Sequence, residues 1–355
     1  MIRTPALAAF ALVLASSLTA CGSDDDSSSS PATTASTGSL ADAGDSDAPD
    51  DSGVFPAVVE HKFGTTTVPA EPERVVSVGL TEQDVLLELG VVPVAVTEWY
   101  GEQPSATWPW AQELLDGAEP EVLSASDGLE FEKIAALQPD LIVATNAGLT
   151  EKDYELLDAI APTVTSVEGS TQYFSSWQDQ TLQIARALGR ESDGQELIDE
   201  VAEEYAEVAA EHPEWEGLTA TFSQGGPYDG QLYVYPDGLS TDFLTDLGFV
   251  ITPGLEEYAP DSGSQALISG ENVDLLEADV VVFATESTEQ FDELQDFATV
   301  STLPAVAEGR AIYTDDILAG AIYFDTPLSL EYVLERLTSS LEAAVAGEAP
   351  RAFPS

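Results

Sequence analysis

The sequence has 355 residues, of which 65 are acidic and 10 basic, so its formal net charge is −55 at pH 7. Nucleic acid is excluded as a partner, because phosphate binding requires clustered lysines and arginines. A single cysteine excludes internal disulfides, and stability has to come from packing. The acidity is typical of a salty or acidic exterior, and it also favours a neutral or cationic ligand over a polyanion.

The N-terminus has the pattern of a secretory signal. One basic residue, Arg3, precedes an apolar run over 6–14, which is too short for a membrane span of about 20 residues. The box Leu18-Thr19-Ala20-Cys21 that follows resembles bacterial lipoprotein signals, in which the cysteine is lipidated. We therefore expect residues 1–21 to be a lipoprotein signal, with Cys21 as the lipid-attachment site that anchors the protein to the outer face of the cytoplasmic membrane.

Residues 22–53 consist mainly of Ser, Asp, Ala, Thr and Gly, and Leu40 is their only large apolar residue. Such a segment cannot bury enough surface to fold, so it is predicted to be a disordered acidic tether. From Val54 onward, short Val-rich runs alternate with helical stretches. The first series of predicted strands covers 74–79, 91–96, 140–145 and 163–167, with helices over 130–137 and 151–160, and the second series covers 218–223, 231–235, 279–284 and 310–314. This alternation predicts an α/β fold with two Rossmann-like lobes, 54–175 and 216–355, and a ligand cleft between them.

A helical connector is predicted over 176–215, where two apolar stripes have helical spacing. The stripes are Trp177, Thr181, Ile184 and Leu188, followed by Leu197, Val201, Tyr205 and Val208. Ser192 with Gln195 has the spacing of a cap for the second segment. Because no Gly-rich or Pro-rich hinge separates the lobes, we expect a rigid joint with small opening motions.

Segments of the first lobe are similar in sequence to segments of the second, which forms an internal echo in the chain. Residues 132–143 match 271–282, with Glu, Ile or Val, Leu and Asp in register, and 81–90 match 239–248. This repetition predicts related helix and strand units in the two halves.

The sequence lacks most of the residue groups that form metal sites or catalytic sites. The chain has only His61 and His212 besides Cys21 and Met1, too few soft ligands for zinc, manganese or copper. His61 falls in a predicted hairpin and His212 at a helix end, so neither provides the base of a nucleophilic triad. Gly225-Gly226-Pro227 is a turn signal without the rest of a phosphate-binding loop. We therefore expect a protein that is not an enzyme, with no metal site and no cofactor of its own.

Aromatic and polar residues follow the predicted strands, where ligands of doubly wound sheets bind. These candidate ligand-binding residues are Trp99, Tyr100, Trp108, Trp110, Asn146, Tyr173, Tyr228, Tyr258, Thr285 and Tyr323. Packing is the alternative interpretation for each one. Together they predict a neutral aromatic cleft for a bulky, partly apolar ligand with carbonyl or hydroxyl groups.

The order and spacing of several segments after the tether resemble the iron-siderophore and cobalamin class of ABC-transporter substrate-binding proteins. The segments are 72–77, 89–96, 137–143, 157–164, 268–271 with 278–281, and 304–306 with 309–313. The resemblance implies two α/β lobes bridged by a long helix, and a shallow cleft from which a metal chelate is delivered to a membrane permease. It also implies one acidic residue on each lobe that pairs with permease arginines.

The resemblance assigns permease docking to Asp84 on the first lobe, and the internal echo adds Asp242 on the second. Glu82 and Asp246 are the nearest substitutes. The alternative for the first lobe is a helix cap, since Thr81 and Asp84 have capping-box spacing.

The arginines of the chain start strands or sit on helices, so an anionic catecholate or citrate complex is not favoured. A ferric siderophore of hydroxamate type is the preferred ligand, bound by a monomer. Haem and cobalamin remain open as ligands of the same class, and so does a surface or signalling protein that keeps the fold without a transport partner.

Overall fold

The computed structural model describes residues 53–126, 128–171, 173 and 175–354. The predicted signal, Cys21 and the tether as far as Ser52 lie outside the described residues. No helix in the described ranges is both long and apolar enough to cross a membrane.

A two-stranded antiparallel hairpin, β1 (Ala57–His61) and β2 (Gly64–Val68), precedes the first sheet. Residues along β1 alternate between buried and exposed, as a half-buried strand requires. His61 is 5% exposed and its Nε2 lies 2.9 Å from the Thr66 hydroxyl, so its ring is held inside the predicted hairpin.

The first sheet is entirely parallel. Its strands are β3 (Val75–Ser77), β4 (Ala95–Glu98), β5 (Glu121–Ser124), β6 (Leu141–Ala144) and β7 (Thr163–Thr165), in the order β5-β4-β3-β6-β7. The helices of this part are α1 (Glu82–Glu88), α2 (Phe131–Ala136) and α3 (Glu151–Asp158). All four predicted strands are present, although the one expected to begin at Val91 begins only at Ala95. The edge strand β5 was not predicted, because only one of its four residues is buried and no apolar run announces it.

The connector is two helices rather than one, α4 (Trp177–Ala187) and α5 (Glu191–Glu211), separated by a short break. Both predicted apolar stripes face inward, since Thr181, Ile184, Val201 and Tyr205 are buried. The predicted Ser192 cap is wrong. α5 begins one residue earlier, after Arg190, and the Ser192 hydroxyl contacts Asp193 instead.

The second sheet mixes parallel and antiparallel strands. They are β8 (Thr219–Gln224), β9 (Gln231–Val234), β10 (Val250–Ile251), β11 (Ala266–Ser269), β12 (Val280–Ala284) and β13 (Ala311–Tyr313). The order is β11-β9-β8-β12-β13, with β10 beside β8, and β9 runs antiparallel to its neighbours. The helices are α6 (Asp242–Thr245), α7 (Thr288–Asp296), α8 (Pro304–Ala307), α9 (Asp316–Phe324) and α10 (Pro327–Val345). Short 3-10 turns lie at Pro104–Ala106, Gln112–Leu115, Pro213–Trp215, Leu255–Tyr258, Gly270–Leu276 and Val300–Thr302.

The internal echo of the sequence has a structural counterpart. If β10 is left out, the first strand of each sheet lies between the second and the fourth strands of that sheet in chain order. In the first sheet β3 lies between β4 and β6, and in the second sheet β8 lies between β9 and β12. The matched aspartates also act alike: the carboxylate of Asp140 accepts hydrogen bonds from the backbone of Glu73 and Arg74, and that of Asp279 accepts one from Thr219. Each aspartate therefore fixes the start of the central strand of its own sheet, which supports a duplicated α/β unit.

Candidate ligand-binding cleft

A cleft of about 850 Å³ lies at the carboxyl ends of the strands of both sheets. On the first sheet its wall is formed by residues within three positions of the strand ends, such as Leu80 after β3, Ala125 after β5 and Asn146 after β6. On the second sheet, β8 leads into Gly225-Gly226-Pro227, and α9 contributes Ile322. The position agrees with the rule that ligands of open α/β sheets bind outside the carboxyl ends of the strands.

Six of the ten predicted ligand residues line this cleft, namely Trp99, Tyr100, Asn146, Tyr173, Tyr228 and Tyr323. Tyr228 is 66% exposed and Tyr173 46% exposed, so both offer ring surface that no protein atom covers. The ring of Trp99 meets that of Tyr100 edge-on, with centroids 4.9 Å apart. An aromatic cleft was predicted, and the geometry assembles it from both sheets; contact of these residues with a ligand remains a prediction.

The other four candidates do not line the cleft. Trp108 is 2% exposed and stacks on Trp110 with ring centroids 5.2 Å apart. Tyr258 packs against the core of the second sheet, and the Thr285 hydroxyl donates to the carbonyl of Thr314 at 2.6 Å. For these residues the packing interpretation fits the structure, because each is held by neighbours on the protein side of the cleft wall.

Trp108 instead fills the junction between the two halves of the molecule. A Cβ added to Gly320 of α9 would lie 2.5 Å from its ring, and one added to Gly101 would lie 2.6 Å from it. The ring also meets Phe324, with centroids 5.7 Å apart. Glycines at these two positions therefore leave the space that the indole occupies.

The cleft has further lining residues that were not predicted. They are Leu80, Ala125, Phe222, Gln224, Tyr233, Tyr235, Ser240, Gln265, Glu286, Gln290, Glu293 and Ile322, beside the Gly225–Pro227 turn. Tyr233 and Tyr235 are two positions apart at the end of β9, and that alternation could have marked them as neighbours on one face. Thr285 was selected because it follows the end of β12. Glu286 is the next residue along the chain, so the same criterion could have identified it.

The electrostatics of the cleft are neutral to acidic. Among the lining residues that the structure describes there is no Lys, Arg or His, whereas Glu286 and Glu293 carry carboxylates. Burial raises the pKa of Glu286, and it raises the pKa of Tyr235 to about 12. Burial likewise raises the pKa values of Tyr100 and Tyr323, so these phenols stay protonated and act as neutral hydrogen-bonding groups.

The two acidic residues predicted to dock on the permease from the first lobe are buried. Asp84 is 0% exposed, and one of its oxygens accepts hydrogen bonds of 2.8 Å from both Trp110 Nε1 and the Thr326 hydroxyl. Glu82 is 1% exposed and accepts from the backbone nitrogens of Thr81 and Asn146. A docking role for either residue is contradicted by this burial, because arginines of a partner cannot reach the carboxylates. The alternative cap also fails, since the Thr81 side chain does not cap α1.

The acidic pair of the second lobe lies nearer the surface. Asp242 begins α6, is partly buried, and accepts a hydrogen bond of 3.4 Å from Gln178. Asp246 follows the end of the same helix and is exposed. Docking by these two residues stays a prediction, and their partial or full exposure is compatible with it. In the described part of the chain, no group of three or more His, Cys, Asp or Glu side chains is arranged to hold a metal ion.

Two similar α/β sheets that share one aromatic cleft, joined by packed helices, define a two-lobed solute-binding protein. The chain belongs to the periplasmic binding protein family, whose sequence profile matches residues 75–318. This finding confirms the predicted fold and the family resemblance. It also agrees with the prediction that the chain is not an enzyme, because the family consists of binding proteins.

Three comparisons illustrate the relationship. The chain is 41% identical to a periplasmic solute binding protein of Mycobacterium smegmatis, whose crystal structure matches with a TM-score of 0.75 over 83% of this chain and 100% of that one. It is 28% identical over 276 residues to the probable siderophore-binding lipoprotein YfiY of Bacillus subtilis, covering 73% of this chain and 80% of the relative. It is 26% identical over 338 residues to the iron(3+)-hydroxamate-binding protein FhuD of B. subtilis, covering 94% and 96%.

Proposed function

We propose that this chain is the lipid-anchored substrate-binding protein of an ABC importer, and that it captures a ferric siderophore of hydroxamate type. The observation that carries the proposal is the cleft of about 850 Å³, lined by aromatic rings and by no cationic side chain. Three hydroxamates neutralise the charge of iron(III), so such a complex enters a cleft of this kind without needing a counter-ion. The name of the relative YfiY supports a siderophore as the ligand, and that of FhuD supports a ferric hydroxamate.

The same geometry disfavours anionic chelates and, within the described residues, offers haem no imidazole ligand, whereas cobalamin remains an alternative. Ferric catecholate and citrate complexes carry net negative charge, and the lining residues of this cleft include Glu286 and Glu293 but no Lys or Arg. Haem iron is commonly held by an imidazole or a phenolate. No histidine lines the cleft in the described residues, and burial raises the pKa values of two of its tyrosines, Tyr100 and Tyr323, which opposes phenolate formation at both. The chelate is the cargo, and the proposal assigns no further cofactor.

The test is a titration of the full chain, purified in mild detergent, with a ferric trihydroxamate, a ferric catecholate, ferric citrate, haemin and cobalamin. Isothermal calorimetry avoids the absorbance of the chelates. We expect saturable binding of the trihydroxamate at about micromolar levels or tighter, and weaker binding of the anionic chelates. Tightest binding of haemin or cobalamin would replace the ligand in this proposal, and no binding of any chelate would contradict the receptor function.

The membrane anchor is the second part of the proposal. It rests on the Leu18-Thr19-Ala20-Cys21 box, and the description of YfiY as a lipoprotein supports it. Replacing Cys21 by Ser should release the protein from the membrane fraction and lower iron uptake by whole cells, while chelate affinity in solution stays unchanged. Retention of C21S in the membrane fraction would contradict the anchor without affecting the ligand assignment.

A further inference from the structure

We propose, on the basis of the function just assigned, that Glu286 selects among ferric chelates by charge and favours those that carry a cationic group. The class of ligand is a ferric hydroxamate with a protonated amine outside its iron-binding core. Nothing in the ligand assignment requires this selection, because a neutral chelate would fit the same aromatic cleft.

The end of β12, which lies beside the central strand β8 of the second sheet, positions Glu286. Glu286 comes two residues after β12 ends, and Ser287 then caps α7 by accepting a hydrogen bond from Gln290. The backbone nitrogen of Glu286 donates to Gln290 Oε1 at 2.9 Å. Gln290 therefore fixes the backbone of Glu286 at the cleft wall.

The carboxylate has no cation to neutralise it. Glu286 forms no ion pair within the described residues. The charged group that acts on it is another acid, Asp316. The charge of Glu286 acts on other groups of the cleft. Burial is the main cause of the raised pKa values of Tyr100 and Tyr323, and the negative charge of Glu286 raises both pKa values further. An unpaired charge beside partly buried rings acts more strongly than the same charge in bulk water. A ligand cation would supply the missing partner.

The opposite wall also offers a hydrogen-bond acceptor. Asn146 is 8% exposed, lines the cleft, and has a carbonyl oxygen without a hydrogen-bond partner among the described residues. Its amide nitrogen is already used, donating to the Thr81 hydroxyl at 3.1 Å. A ligand with N–H groups, such as an ammonium or an amide, matches an acceptor on this wall and a carboxylate on the other.

The experiment compares two chelates that differ only in this charge: a ferric trihydroxamate with a free, protonated amine, and the same compound with that amine acetylated. The full chain in detergent is titrated with both by calorimetry at neutral pH. We expect the cationic chelate to bind about tenfold more tightly than its neutral twin. In Glu286→Gln the ratio should fall to about one, while Glu286→Asp, which keeps the charge, should retain most of it.

Glu289→Gln is the matched control, because Glu289 lies on the first turn of α7, is exposed, and does not line the cleft. It should leave the ratio as in the wild type. Equal affinities for the two chelates in the wild type, or a ratio unchanged by Glu286→Gln, would overturn charge selection and leave the proposed function standing. Failure of both chelates to bind would overturn both, so the two proposals fail in different ways.

Discussion

The hydroxyl of Thr326 donates a hydrogen bond of 2.8 Å to the carboxylate of Asp84, although the two residues are 242 positions apart in the chain. Asp84 belongs to α1 beside the first sheet, and Thr326 is the N-cap of α10 beside the second. The same oxygen accepts from Trp110, whereas the other oxygen of Asp84 has no partner among the described residues. A buried carboxyl group thus links the two halves of the molecule, and its ionisation costs free energy.

The first prediction follows from that cost. Burial raises the pKa of Asp84 from its ordinary 3.8 to about 7. Between these two values the folded protein holds a proton that the unfolded chain has released, so stability falls as the pH rises through this window. Asp84→Asn cannot ionise. Relative to the wild type, its free energy of unfolding should rise by on the order of 2 to 3 kcal/mol between pH 5 and pH 8.5, measured by urea unfolding at both values.

Asp279→Asn is the control for that experiment. Hydrogen bonds from Thr219 lower the pKa of Asp279, so this carboxylate is ionised in the folded and the unfolded chain between pH 5 and pH 8.5. Its replacement should cost the same free energy at pH 5 and at pH 8.5. If the difference between the wild type and Asp84→Asn were equally constant with pH, Asp84 would not be the buried acid described here.

The second prediction concerns the contact between Trp108 and Gly320. Gly→Ala inside a helix usually stabilises by about 0.5 to 1 kcal/mol, whereas overpacking a core costs about 1 to 3 kcal/mol. Since a Cβ at Gly320 would lie 2.5 Å from the Trp108 ring, the clash should prevail. We expect Gly320→Ala to lower the free energy of unfolding by about 1 to 2 kcal/mol in denaturant titrations.

A double-mutant cycle isolates this clash from other effects. Trp108→Leu removes the ring, so in that background Gly320→Ala should be neutral or slightly stabilising. An equal loss in both backgrounds would show that the glycine is needed for the helix itself and not for the indole.

Much of the fold could be predicted because its signals are local. The run 140–145 predicted the strand Leu141–Ala144, whose residues are all buried, and the run 279–284 predicted Val280–Ala284 in the same way. The edge strand Glu121–Ser124 gave no such signal, because most of its side chains are exposed. Buried parallel strands require continuous apolar runs, and edge strands do not.

The site was predictable only in part, for a physical reason. The rule that ligands bind beyond strand ends identified Tyr100, Asn146 and Tyr228 correctly as cleft residues. It could not reveal that Trp108 is covered by Gly320, or that Asp84 is bonded to Thr326, since these partners lie more than 200 positions away. Whether a side chain is buried between the two lobes depends on how the lobes pack together. A local sequence pattern carries no information about that packing.

The third prediction separates the cleft from the aromatic residues near it. Tyr228 lines the cleft and is 66% exposed, so Tyr228→Ala should leave the fold intact and weaken binding of a ferric trihydroxamate by roughly fivefold to tenfold, through loss of ring contact. Tyr258 was an equal candidate in the sequence but packs against the core away from the cleft. Tyr258→Ala should bind with unchanged affinity once its folded fraction has been checked by circular dichroism. Equal losses for both variants would mean that the ligand does not lie in this cleft.

The last prediction concerns delivery to the permease. Of the four acidic residues considered for docking, Asp246 is exposed and Asp242 partly so, whereas Asp84 and Glu82 are buried. An ion pair at the rim of an interface affects association more than it affects the free protein. The double variant Asp242→Asn and Asp246→Asn should therefore lower uptake of radioactive iron chelate by cells about threefold to tenfold, with chelate affinity in solution unchanged. Asp84→Asn is the comparison, since its carboxylate is out of reach of any partner, and its uptake per molecule of protein should match the wild type at neutral pH. A defect in uptake confined to Asp84→Asn would mean that the lobes move enough to expose this carboxylate during delivery, and docking would then have to be assigned to the first lobe.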